Sequence, residues 1–498
     1  MQNRKHYSAL FLSLILGTSI SNAYGLDLEI KPSVLLNSTY TDNENQSPTP
    51  TSADIIAEAS PAVSILANGA RTQANLDYSI RKQVSYTRNI DKLNHQLRGA
   101  GDFALIKNYV NVFATGNYEQ RQNQVGQNIL FDETLQLEDT ANIGSIAAGA
   151  DITNHVKRHF DSKLKYTFNT TKSDSTTFAD TSSHNIVASL KNGTSFHRLS
   201  WGGDANYQEL DDANLKLKKI AEVTGHLGYL INRQTGFRAS LGYESNPQYT
   251  QVNPNIESKG IIATGTAFWR SPKKLSIELM AGKRSYGDTY QAKTDWQSNT
   301  TNLTASYGRT ITGDNFAVSL SQQIRQAAFR LQYNKTLSEY NYSSLIDDPT
   351  FVIITRNESE TQPLAPLIMS VQTGTYIVSR LSSGMALKGN KNSIDLGADY
   401  ETKEYTETGG KSRTYKATAQ WKSKITTLAN TNLTIEAVDA NDASLGAVGL
   451  YSSIKFSYEH KIKKYFLTSL SGQRWERRPG DGNNIVVNLV SFSVKASY

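Results

Sequence analysis

The sequence predicts an all-β fold, a single antiparallel up-and-down β-barrel that crosses a membrane. Three observations predict it: the chain of 498 residues opens with an export signal, apolar and polar residues alternate along most of the remaining chain, and tight turns recur at intervals that each hold two strands. We expect about 18 to 24 strands, with about 22 as the best estimate.

The first element is a signal peptide, residues 1–23. Arg4 and Lys5 precede an apolar run at residues 9–16, and small residues precede the expected cleavage site. The run is too short to span a bilayer, which needs about 20 apolar residues. We therefore expect cleavage, with the barrel formed by residues 24–498.

Composition excludes several other classes of protein. No stretch of the mature chain approaches the roughly 20 apolar residues of a membrane-spanning helix. Cysteine is absent, which excludes disulfide scaffolds, thiolate zinc sites and cysteine nucleophiles. The net charge is +7, but the basic residues are dispersed, so nucleic-acid binding is not expected.

The alternation has a period of two residues, which is typical of strands with one apolar and one polar face. In one segment the apolar residues are Leu164, Tyr166 and Phe168, and the polar ones between them are Lys163, Lys165 and Thr167. Because a soluble β-sandwich shows the same alternation, the pattern alone does not establish a membrane barrel.

Turn spacing favours the membrane barrel. Neighbouring short turns are mostly 36 to 41 residues apart, with two strands and a longer polar loop between them. Barrels of bacterial outer membranes have short periplasmic turns and longer extracellular loops. The predicted short turns lie near Asn68–Gly69, Lys107–Asn108, His155–His159, Asn192–Gly193, Asn232–Gly236, Ser271–Pro272, Thr312–Asp314, Gly389–Asn392, Thr426–Leu428 and Lys461–Lys464.

Residues 326–375 form an irregular segment in which the alternation does not phase cleanly, which leaves open whether it adds a strand pair. The segment contains an apolar run at residues 351–354 and several prolines, among them Pro363 and Pro366. It is either a long loop or a plug of the lumen, since barrels of about 22 strands are usually plugged. Alternation begins so soon after residue 23 that no folded plug domain is expected before the first strand.

The last strand carries a predicted barrel-insertion signal. In the segment NLVSFSVKASY, polar residues separate apolar ones, and an aromatic residue comes last. We expect this strand to pair with the first one, near residues 28–40, and so to close the barrel. The pattern resembles the signal that the insertion machinery of Gram-negative outer membranes recognises, here formed by Val490, Phe492, Val494, Ala496 and Tyr498.

Three segments resemble outer-membrane β-barrel proteins associated with the PEP-CTERM/exosortase system. They are SPAVSILANGARTQANLDYSIRKQVSYTRN from Ser60, LNHQLRGAGDFALIKNYVNVFATGNYEQRQ from Leu93 and TYIVSRLSSGMALKGNKNSIDLGADYETKEY from Thr375. The resemblance implies an outer-membrane protein of a Gram-negative bacterium that is linked to exopolysaccharide production or export. It implies partners among the export proteins and no catalytic residues.

No catalytic, cofactor or metal site is predicted, and the chain is not expected to be an enzyme. Residues 24–498 contain no HExxH, P-loop, GxSxG or His-x-Ser pattern. His197 and Ser200 would face opposite sides of one strand. The loop acids and the pair His155 and His159 could bind a metal, but polar loops and turns are the preferred interpretation; these acids are Asp211, Asp212, Asp439 and Asp442, with Asn441 beside them.

The polar face of each strand is predicted to line the lumen, where basic and acidic residues balance. No strong ion preference is expected, and pairing of these charges along the wall is the simpler interpretation. The candidates are Arg81, Arg98, Asp102, Lys163, Lys165, Arg198, Asp204, Arg238, Glu244, Glu278, Asp395, Asp399 and Lys416.

Two functions remain open from the sequence. The favoured one is a passive conduit for exopolysaccharide or another polar solute, embedded in outer-membrane lipid. The alternative is a non-conducting scaffold barrel that anchors an envelope assembly.

Overall fold

The computed structural model describes residues 26–49, 51–87, 91–122, 140–156, 158–174, 180–212, 215–272, 274–339, 375–405, 409–442, 447–463, 465–479 and 484–497. These residues form one antiparallel sheet of 24 strands and one short helix. None of the helical structure in these ranges is long and apolar enough to cross a membrane.

The strands follow one another around the sheet in chain order, and each pairs with its two neighbours. Their bounds are β1 Asp27–Thr41, β2 Asp54–Asn68, β3 Thr72–Ser85, β4 Asp91–Ile106, β5 Val110–Gln122, β6 Thr140–Val156, β7 Phe160–Ser173, β8 Thr181–Asn192, β9 Leu199–Asp212, β10 Leu215–Leu230, β11 Thr235–Ser245, α1 Gln248–Val252, β12 Lys259–Arg270, β13 Leu275–Arg284, β14 Gly287–Gln297, β15 Thr301–Thr310, β16 Gly313–Ile324, β17 Ala327–Glu339, β18 Thr375–Lys388, β19 Asn392–Tyr405, β20 Lys411–Lys424, β21 Ala429–Asp442, β22 Ala447–Lys463, β23 Phe466–Pro479 and β24 Ile485–Ser497.

Strand β24 pairs with β1 and closes the barrel. The register runs from Ser33 opposite Ser497 to Thr41 opposite Leu489, so the pairing predicted for the last strand is confirmed. A closed sheet leaves no unpaired edge. The predicted fold class, an antiparallel up-and-down barrel, is therefore the fold of this chain.

The two ends of the barrel differ in the length of their connections. At one end, here called the turn end, 11 connections of two to six residues join the strands. At the other, the loop end, connections range from two to 35 residues. Nine of the ten predicted short turns lie at the turn end, but Thr312–Asp314 lies at the loop end. The turns at residues 298–300 and 325–326 were not predicted, so the barrel has two strands more than the best estimate of 22.

The outward face carries an apolar belt of exposed side chains. On β22 it runs from Leu450, 40% exposed, to Ile462, 54% exposed. These residues lie 12 apart, about 40 Å along a strand and about 30 Å along the barrel axis if strands tilt by about 40°. That height matches the hydrocarbon core of a bilayer, about 30 Å thick.

Aromatic residues flank the belt on the outward face. Four of the five tryptophans lie near the turn end, and tyrosines dominate near the loop end. Rings with a polar atom are favoured at a boundary between lipid and water, so the two groups mark the boundaries of the membrane. They are Trp201, Trp269, Trp296 and Trp421 at the turn end, and Tyr40, Tyr86, Tyr243, Tyr290 and Tyr307 at the loop end.

The inner wall has a small apolar core beside the closing strands, formed by Ile56, Trp475, Val487 and Leu489. Trp475 is 1% exposed. In the connection that follows β1, the Asn43 side-chain amide donates to the carbonyl of Val486 at 2.9 Å, which holds this residue against β24.

The irregular segment predicted at residues 326–375 is shorter in the structure. Its first part, residues 327–339, forms β17 and pairs with β16 and β18, and Thr375 begins β18. Residues 340–374 lie outside the described ranges, as do the predicted signal peptide and Tyr498, so these interpretations stay predictions.

Candidate pore lining and mouth

The sequence-predicted lumen charges lie on the strand face opposite the apolar belt, with one exception. Arg198 lies in the turn that precedes β9, because that strand begins at Leu199. The others alternate with exposed apolar neighbours, as Lys165 does with Leu164 and Tyr166. The inner wall is thus the polar face that the alternation predicts, and a role of these charges in selectivity stays a prediction.

Three of the predicted bases form ion pairs with acids on a neighbouring strand. None of the three acids belongs to the predicted set, although each occupies an inward position of its strand. The pairs are Arg81 with Glu58 at 3.4 Å, Arg98 with Glu119 at 3.6 Å, and Lys416 with Glu436 at 2.6 Å.

Predicted acids also have partners on adjacent strands. Asp399 accepts a hydrogen bond from the Ser382 hydroxyl at 2.5 Å and lies 3.5 Å from the Arg380 guanidinium. Asp102 accepts from the Asn111 amide at 3.2 Å. Where a base and an acid of the wall are paired in this way, their long-range fields largely cancel.

Two predicted residues, Asp204 and Arg238, contribute to one inward patch on β8 to β11. His226 lies between them and is in the electrostatic field of both side chains and of Lys191. Gly202 is required beneath the imidazole, since a Cβ there would lie 2.8 Å from His226 Cε1 and 2.3 Å from the Leu190 carbonyl oxygen. This patch mixes three basic groups with one acid.

The predicted residue Glu244 is the centre of a buried network at the loop end. Its side chain is 2% exposed and lies 2.7 Å from the Arg284 guanidinium, which also lies 2.9 Å from Glu222. The second carboxylate oxygen of Glu244 accepts hydrogen bonds from the backbone N–H and the hydroxyl of Ser285, both at 2.8 Å. One guanidinium therefore bridges β10, β11 and β13.

Helix α1 is attached to this network. The Tyr249 hydroxyl donates to Glu244 Oε2 at 3.3 Å, and its ring packs edge-on against Tyr286 with centroids 5.4 Å apart. The Asn246 N–H donates to the Ser258 carbonyl at 2.7 Å and closes the base of the loop. The connection between β11 and β12 is thus held by a charge network and by an aromatic pair.

Tyr249 makes the attachment sensitive to alkaline pH. Burial raises the pKa of the Tyr249 phenol above its ordinary value, and the nearby Glu244 carboxylate raises it further. The stability that the neutral phenol contributes is fully present below about pH 10, the unfolded pKa, and is lost as pH rises toward the folded pKa. In urea titrations of the vesicle-embedded barrel, we expect Tyr249→Phe to reduce the decline in unfolding free energy above about pH 10. An identical decline in both proteins would contradict this.

The residues considered for chemistry do not form a catalytic or metal-binding group in the described part of the chain. His155 lies 2.8 Å from Asp161 in a contact whose side chains are more than half exposed. Asp439, Asn441 and Asp442 belong to β21 and not to a loop, and Asp211 and Asp212 end β9. No three His, Asp or Glu side chains converge there in a way that could hold a metal ion.

Sequence reasoning missed Arg284, Glu222 and Tyr249. The first two occupy inward positions that strand parity could have identified. Their contact requires the register of four strands, β10 to β13, which no local pattern contains.

Searches with family models and against curated proteins gave no match. Solved structures with a similar fold include the siderophore receptor PirA from Acinetobacter baumannii, with 9% identity and a TM-score of 0.48 over 94% of this chain and 80% of that one. Others are the FrpB iron transporter from Neisseria meningitidis (F3-3 variant), with 9% identity and 0.46 over 94% and 81%, and a mutant of the ferric enterobactin receptor PfeA from Pseudomonas aeruginosa, with 8% identity and 0.47 over 94% and 80%. At these scores the likeness transfers no function, and the barrel architecture rests on this chain's own strand pairing.

Proposed function

We propose that the chain is a passive conduit across the outer membrane of a Gram-negative bacterium for a polysaccharide or another polar solute. The observation that carries the proposal is the inner wall, which is rich in hydroxyl and amide side chains and on which several of the charges are paired with a neighbour. On β14 to β17 this wall includes Gln291, Asn302, Thr304, Ser306, Asn315, Ser319, Ser321 and Gln332. Such groups exchange hydrogen bonds with a hydroxylated solute without demanding a charge on it.

The polysaccharide part of the proposal rests on the resemblance of three segments to barrels of the PEP-CTERM/exosortase system. An exopolysaccharide chain is rich in hydroxyl groups, which suits the composition of the wall. The export proteins of such a system would be the partners and would supply the driving force, since a passive barrel supplies none.

Single-channel recording in a planar bilayer tests the conduit. We expect steady conductance steps with little ion preference, a K⁺ to Cl⁻ permeability ratio within a factor of about two, because the predicted basic and acidic residues of the wall balance. Soluble glycans should reduce the current. A second protein without residues 340–374 tests whether the predicted plug limits conduction. Silence of both proteins, with a heat-modifiable band proving that the barrels are folded, would overturn the conduit and favour the scaffold.

A further inference from the structure

The connection between β11 and β12, residues 246–258, reaches across the opening of the barrel. Helix α1 approaches β18 to within 8 Å between Cα atoms. Strands β12 and β18 are six strands apart around the wall. With neighbouring strands about 4.8 Å apart and tilted by about 40°, the path along the wall is about 38 Å. The helix can be near β18 only if the loop leaves its own strands and lies over the lumen.

Contacts at its base hold this loop in place. Glu244, at the end of β11, binds Arg284, Ser285 and Tyr249. Within the loop, the Gln248 N–H donates to the Asn246 side chain at 3.0 Å, which starts the helical turn. At the return strand, a Cβ on Gly260 would lie 2.8 Å from the Cα and Cβ of Ser285, so glycine permits the close packing of β12 on this network.

The part of the loop that crosses the opening carries no formal charge. Residues 246–256 read NPQYTQVNPNI, with amides, hydroxyls and one aromatic ring. The ionised groups of the network lie at its base, where Glu244 is almost completely buried. A solute that passes beside α1 therefore meets amide and hydroxyl groups on the loop.

We propose that residues 246–258 form a fixed constriction of the lumen, and that the openings on either side of this bridge select uncharged, polyhydroxylated chains. This inference rests on the proposed conduit and deepens it, because it names the element that limits size and the class of solute. The Glu244 and Arg284 network keeps the constriction in position.

Thiol labelling of Thr250 tests the constriction during conduction. Thr250 lies on α1 and is exposed, and the chain has no cysteine of its own. Reaction of Thr250→Cys with a bulky cationic methanethiosulfonate should reduce single-channel conductance by about half or more. Thr49→Cys is the matched control, because it replaces the same residue type at an exposed position in the connection between β1 and β2. Equal reductions at the two positions would overturn the proposal.

A cross-link tests the position of the loop without any current. Val378 occupies an inward position of β18. With a short bifunctional maleimide, Thr250→Cys/Val378→Cys should form an intramolecular link that shifts the band on a denaturing gel, whereas Thr49→Cys/Val378→Cys should not. A cross-link in a barrel that passes no current would overturn the conduit. Current without a cross-link or a block at Thr250→Cys would overturn the constriction.

Discussion

Replacing Trp475 by alanine is expected to lower the unfolding free energy of the barrel by about 3–5 kcal/mol, the usual range for removing a large aromatic side chain from a core. Trp475 is 1% exposed and packs against Ile56, Val487 and Leu489. These residues lie on β2, β23 and β24, on both sides of the closing pair. The cavity would therefore weaken the barrel where its first and last strands meet.

Trp421→Ala is the control, because the same residue type there faces outward and is 38% exposed. When this ring is removed, lipid can fill the space that it occupied, so the substitution should cost only about 1 kcal/mol. Unfolding in urea of the vesicle-embedded proteins, followed by circular dichroism because a fluorophore is removed, gives both values. Equal costs for the two variants would show that the inner cluster does not stabilise the closure.

The alternation of apolar and polar residues, taken together with the turn spacing, predicted the barrel and the face of most strands. A strand in a membrane barrel has lipid on one side and water or polar side chains on the other. Whether a residue is apolar or polar therefore indicates which way its side chain points. In a closed up-and-down barrel the last strand has to pair with the first. For this reason the pairing of β1 with β24, 452 residues apart at Thr39 and Ser491, could be predicted without any contact information.

The predicted number of strands, about 22, is two fewer than the structure has. The reason is that β13 to β16 have only 10 to 12 residues and are joined at both ends by very short connections. Without a length difference, the turn end and the loop end cannot be distinguished there. The turn between β16 and β17 also lacks the usual residues, since Arg325 adopts a positive φ of 48° where glycine or asparagine is expected. Local composition therefore gives little sign of that turn.

The inner charges were predicted as a set, but their partners were not. Arg81 and Glu58 are on adjacent strands, so parity and register together would have paired them. Arg284 and Glu222 are three strands apart, so no pairing of adjacent strands contains their contact. The path of residues 246–258 likewise depends on contacts beyond the loop itself.

Arg284→Met should destabilise the barrel by about 3–5 kcal/mol, the cost of leaving a buried carboxylate without its partner. Arg284 lies 2.7 Å from Glu244, whose side chain is 2% exposed, and 2.9 Å from Glu222, whose side chain is 43% exposed. Most of the penalty should come from Glu244, because water still solvates Glu222. The loss of the bridge also frees the base of residues 246–258, so protease cleavage in this loop should become faster.

The double variant Arg284→Met/Glu244→Gln should recover most of the lost stability, because it removes the uncompensated charge together with its partner. Arg270→Met is the matched control. The Arg270 side chain is 54% exposed and its guanidinium lies 3.9 Å from Glu278, so its loss should cost less than about 1 kcal/mol. If Arg284→Met is no more costly than Arg270→Met in urea unfolding, the network does not anchor the loop. If the double variant is no more stable than Arg284→Met alone, then the guanidinium stabilises the wall by its packing and not by pairing with Glu244.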